Sequence, residues 1–187
     1  MHELLRKTTL GLALSLLAAA CAEQPRVDPA SRVDRLTRSD MRYAAVRVEP
    51  FTLSPKGVKE KDPEAYLRKA QETCVRVLNR SGLFDLVTEG PAEEASDPTL
   101  VVRAEVTGLK IVTAGQEQWL GTFAGRSEMK ARVTIQDARS GKVLRSVLVQ
   151  QDAETAAGPW SFGATDRSLP AEVGTRIAEV AAASASK

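Results

Sequence analysis

Residues 129–136 alternate without a break: Met129, Ala131, Val133 and Ile135 are apolar or small, and Lys130, Arg132, Thr134 and Gln136 are polar. Side chains of a strand point to opposite faces in turn, so this stretch predicts a β-strand with one buried and one wet face. Asp137-Ala-Arg-Ser-Gly-Lys142 follows. Asp and Ser satisfy turn N–H groups with their side-chain oxygens, and Gly141 supplies the positive φ that a tight hairpin requires. Val143 to Gln151 is then the returning strand. Whatever surrounds this hairpin must cover its apolar face.

Two helices are predicted to do so. Asp62-Pro63-Glu64 has the form of a helix start: an acceptor at the cap, a proline at the first helical position, then an acid near the positive end of the dipole. Leu67, Ala70, Cys74, Val77 and Leu78 recur at helical spacing and form one buried stripe, with Arg68, Lys69, Glu72 and Arg76 on the rest. Gly82 closes the helix as a left-handed cap. A second stripe, Leu169, Val173, Ile177 and Val180, defines a closing helix from Ser168 to about Ala182, beyond which the small-residue stretch Ala181–Ser186 is expected to fray.

Three further strands complete the pattern. They are Tyr43–Val48, stopped by Pro50; Leu83–Thr88; and Leu100–Val112, with Gly108 at a bulge. The predicted order is β-α-β-β-β-β-α. This is an α/β arrangement of the α+β kind, a mixed and mostly antiparallel sheet with two helices on one face. The first crossover makes strands one and two parallel, and the later hairpins make the remainder antiparallel. Arg103, Glu105, Lys130 and Arg132 fall on the uncovered, solvated face.

The N-terminus carries a targeting signal. Arg6 and Lys7 precede an uncharged, leucine-rich run from Thr8 to Ala20, which is too short to span a bilayer of roughly 30 Å as a helix. It ends Leu17-Ala-Ala-Ala-Cys21. Small residues before a cysteine resemble the bacterial lipobox, in which the thiol takes a diacylglycerol before cleavage, although Ala18 stands where the usual box has leucine. An ordinary secretory signal with an A-x-A site is the alternative. Residue 22 is Ala and not Asp, which by resemblance to known sorting implies the outer membrane. The expected organisation is a signal peptide at 1–20, a lipidated Cys21 with a flexible linker to residue 41, and a single α/β domain over 42–187. A linker of this length has a typical reach of roughly 25 Å.

The composition argues against catalysis. The one histidine, His2, leaves with the signal, and with it the commonest general base and metal ligand near neutral pH. Cys74 falls on an apolar helical stripe and reads as a buried, inert thiol. Glu93 and Glu94 sit in a polar loop with no apolar pocket to raise a pKa. Gly121 and Gly125 bracket a loop with no Lys-Ser/Thr at phosphate-cradle spacing. Neither a metal nor another cofactor is expected. Acidic and basic residues nearly balance, 24 against 26, with no basic block, so nucleic acid is not an expected partner.

Four segments together resemble a known family. They are Val46–Phe51; Ser81–Phe84 after a helix; Val102–Val106; and Ala131–Leu144, built around Asp137, Ser140 and Gly141. Over about residues 43–182 the chain is similar to the bacterial lipoproteins grouped as domain of unknown function 4410. It is more loosely similar to the amino-terminal domain of TolB and to curli-secretion-type lipoproteins. The resemblance implies a non-catalytic envelope lipoprotein with a protein-binding or assembly role, and brings no catalytic residues. The alternative is a lipid- or glycan-handling accessory subunit of an envelope transport system. The expected partners are the membrane, through the lipid, and other envelope proteins.

Topology suggests a binding surface. Trp119 and Phe123 lie in the loop Gly115–Gly125, and Trp160 and Phe162 lie in or beside Gly158–Gly163. Both loops should meet at one end of the sheet, where exposed aromatics would anchor a partner. The alternative is that these rings plug that end of the core.

Overall fold

The computed structural model describes residues 36–55, 58, 60, 62–91, 98–112, 126–152 and 164–186. Among the described residues six strands form one mixed sheet: β1 (Ala45–Val48), β2 (Thr52–Leu53), β3 (Leu86–Glu89), β4 (Thr99–Lys110), β5 (Glu128–Asp137) and β6 (Val143–Asp152). Helix α1 (Pro63–Ser81) lies between β2 and β3, and α2 (Ala164–Ala185) follows β6. The strand order is β3-β1-β4-β5-β6, with β2 beside β4.

The hairpin is as the alternation predicts. Met129, Ala131, Val133 and Ile135 are fully buried, and β5 pairs antiparallel with both β4 and β6. Gly141 has φ +66°, and Asp137 Oδ1 accepts from the Ser140 N–H at 2.7 Å. The register shifts between Val106 and Gly108, where the bulge was expected. Helix α1 starts at the Asp62 cap, whose carboxylate accepts from the Ala65 N–H, and ends at Gly82 with φ +63°. The core lies between the sheet and the two helices, with Val46, Val48, Leu100, Val102 and Val106 facing Leu78, Leu169, Val173 and Ile177 in one buried cluster.

Four details depart from the sequence reading. One strand lies outside the predicted order: Thr52 and Leu53 form β2, parallel to Glu105 and Val106 of β4. Two residues are too few to show a period. Next, β1 lies between two parallel neighbours, β3 and β4, so the remainder of the sheet is not all antiparallel. β3 and β4 flank β1 and both run parallel to it, so they do not form a hairpin with each other. The buried stripe of α1 is shifted, because Thr73 is buried where Val77 is only half-buried. That shift follows α2, whose Gly174 packs against Ala70 and Thr73. Finally, the C-terminal alanines do not fray. Ala181, Ala182 and Ala185 are buried, and Ser186 bridges Met41. Small side chains there allow the close approach that seats the last turns of α2.

The chain joins the domain before residue 42. A short 3-10 turn spans Arg38–Asp40, with the Asp40 carboxylate accepting from the Thr37 N–H at 2.8 Å. Leu36 packs on the core and Met41 is buried in it.

Candidate functional site

The two ends of the sheet are chemically different. At one end the incoming chain and the C-terminus meet the β5–β6 turn. Arg42 N–H donates to the Ala185 carbonyl at 2.8 Å, Ala138 N–H donates to the Thr99 carbonyl at 2.9 Å, and the Tyr43 hydroxyl donates to Asp137 Oδ2 at 3.0 Å. Tyr43 is buried, and burial, with the Asp137 carboxylate beside it, pushes its hydroxyl above the ordinary tyrosine value. The Ser140 N–H and hydroxyl, and then Tyr43, hold the Asp137 carboxyl below the ordinary carboxylate range. Both oxygens of the Asp137 carboxylate are engaged, Oδ1 by Ser140 and Oδ2 by Tyr43. Its chemistry is that of a structural clasp.

At the other end, Lys110, Glu128 and Asp152 lie side by side across β4, β5 and β6. These are the stems of the β4–β5 connection and of the β6–α2 connection. The first stem is pinned by side chains: Val112 N–H donates to the buried Ser127 Oγ, and Ile111 N–H to Glu60 Oε1, both at 2.8 Å. The second is joined to α2 through Gln151 and Glu172. Trp119, Phe123, Trp160 and Phe162 belong to these connections and lie outside the described residues, as does Cys21. At roughly 3.3 Å per residue along β4, the loop stems stand roughly 35 Å from the end where the chain enters.

The uncovered face of the sheet carries opposed charges. Arg103 makes a two-pronged ion pair with Glu49, at 2.6 and 2.9 Å, and donates to Gln136 Oε1 at 2.8 Å. Lys130 pairs with Glu128 at 2.5 Å and Arg132 with Glu105 at 3.7 Å. Exposed pairs of this kind add little stability. Their effect here is to set each of these basic side chains beside an acidic one on the uncovered face.

Cys74 is fully buried, and burial pushes its thiol well above the ordinary range, so the nucleophilic thiolate is suppressed. Among the described residues no group of His, Cys, Asp and Glu is arranged to hold a metal, and no helix is long and apolar enough to cross a membrane.

One feature escapes the sequence pattern. Val143 and Leu148 of β6 are exposed, on the uncovered face of an edge strand. Alternation locates the strand but not its place at the edge, so the exposure of Leu148 becomes visible only with the strand order.

The fold recurs in solved structures. Protein XCC0632 of Xanthomonas campestris, from the DUF330 family, is 11% identical with a TM-score of 0.50, over 73% of this chain and 82% of that one. A PelC dodecamer from Paraburkholderia phytofirmans is 17% identical with a TM-score of 0.48, over 76% and 89%. A minor lipoprotein from Acinetobacter baumannii is 14% identical with a TM-score of 0.37, over 75% and 90%. At 11% identity the likeness to the Xanthomonas protein concerns the fold alone. No curated protein matches the sequence. The family described as Domain of unknown function (DUF4410) matches residues 35–157, the span from the 3-10 turn through β6, and the chain belongs to that family.

Proposed function

We propose that this chain is a non-catalytic lipoprotein of the bacterial envelope. Lipid on Cys21 anchors it to the periplasmic side of the outer membrane, and its domain binds another envelope protein. The observation that carries the reading is the opposition of the two ends. The chain coming from Cys21 enters at the Tyr43–Asp137 clasp, and the stems of the aromatic-bearing loops lie at the far end. A partner surface there faces away from the anchor, with Trp119, Phe123, Trp160 and Phe162 as its contacts. Suppression of the Cys74 thiolate supports the non-catalytic part of the reading.

Site-specific photocrosslinking in intact cells tests it. A photoreactive residue at position 119 or 160 should give an adduct with a discrete envelope protein, and the same residue at Arg139, in the clasp, should not. Adducts only from Arg139 overturn the choice of surface. Stoichiometric lipid released from the purified protein, without a protein adduct, overturns the protein-binding role in favour of lipid handling.

A further inference from the structure

β6 is ten residues long and lies last in the strand order, and no strand pairs with its outer edge among the described residues. Free edges are usually blunted by lysine, proline or a bulge along their length. Between Val143 and Asp152 there is no lysine and no proline, and the one register irregularity lies at the start of the strand. Two large apolar side chains stand out instead, Val143 at 49% and Leu148 at 58% exposed.

We propose that β6 pairs antiparallel with β6 of a second copy of this chain, making one sheet across two molecules. Charge selects that occupant. Lys142 and Arg145 mark one end of the strand; Asp152, with Glu172 of α2 beside Gln151, marks the other. Antiparallel pairing of identical strands sets each basic end against the acidic end of its neighbour.

The faces match as well. Opposed residues of an antiparallel pair share a face. A two-fold axis through Leu148, perpendicular to the sheet, therefore places Leu148 against Leu148 of the second copy on the uncovered face. On the helix face it places Val147 beside Val149, and Arg145 beside Gln151 and the Glu172 carboxylate. The helices of both molecules stay on one side. The other outer strand, β3, has four residues and cannot match ten, although Leu86 is 56% exposed on it. An isologous contact of this kind closes at two molecules.

The test is the mass of the processed protein as cells make it, purified in detergent, by sedimentation at micromolar concentration. A dimer is expected. Leu148→Lys, at an exposed position, should weaken it roughly tenfold or more by placing like charges opposite each other, with the circular dichroism spectrum unchanged. Leu86→Lys should leave it intact. Arg145→Glu should weaken it, and adding Glu172→Arg should restore it. A monomeric wild type overturns the proposal. So does a larger assembly dissolved by Leu86→Lys, a dimer indifferent to Leu148→Lys, or a strand from a different protein on this edge.

Discussion

The Tyr43 hydroxyl donates to the Asp137 carboxylate at 3.0 Å across 94 residues of sequence, tying the entry of the chain to the β5–β6 turn. The tyrosine ring is buried and the carboxylate also holds the turn through Ser140. Tyr43→Phe keeps the ring and removes only the donor, so it should lower stability by about 1 kcal/mol. Chemical denaturation should show a lower midpoint with an unchanged slope.

The same pair sets a pH dependence. The Asp137 carboxyl is held low, chiefly by the Ser140 N–H, so its stabilising contribution is present above the ordinary carboxylate range and is lost as pH falls through its folded value. The Tyr43 hydroxyl is pushed up, chiefly by burial, so its contribution is present below the ordinary value of 10.0 and is lost as pH rises through the folded value. The melting temperature against pH should therefore fall at both extremes. Asp137→Asn should flatten the acid limb, and Tyr43→Phe the alkaline one.

Gly174 marks the closest approach of the two helices. A Cβ there would run into the Ala70 carbonyl oxygen and meet the Thr73 side chain at 3.0 Å. In an isolated helix Gly→Ala is favourable by up to about 1 kcal/mol. Here Gly174→Ala should instead destabilise by about 2 kcal/mol, because α1 and α2 must separate. Thermal denaturation decides the sign.

That reversal shows where the sequence stops being informative. The β5–β6 hairpin, the caps at Asp62 and Gly82 and the bulge at Gly108 were legible because each is written in neighbouring residues. Gly174 reads locally as a helix defect, and its purpose lies in a helix more than ninety residues earlier. The parallel placement of β4 beside β1, the buried C-terminal alanines and the exposure of Leu148 depend likewise on which elements become neighbours. Periodicity does not encode that choice. The aromatic loop residues stood out by composition and by the topology of their stems, and the clasp partner Tyr43 did not, since its hydroxyl acts on a residue far along the chain.

Cys74 should behave as part of the core. It is fully buried, with its thiol pushed up by burial. A thiol reagent should modify the native protein at least about a hundredfold more slowly than the denatured chain, since reaction must wait for opening of the core. Equal rates would mean that α1 presents a different face to the sheet.

The proposed lipid on Cys21 is what would hold the domain at a membrane, and a fatty-acid probe fed to cells expressing the protein reads it out. A single acyl chain holds a protein only marginally at a membrane, whereas several hold it firmly, so the modification decides where the domain resides. The wild type should be labelled, sediment with the outer membrane and begin at Cys21 when its N-terminus is read by mass spectrometry. Cys21→Ala should be unlabelled and either unprocessed or released to the soluble fraction. A wild-type protein that carries no label and is soluble in the periplasm would contradict it.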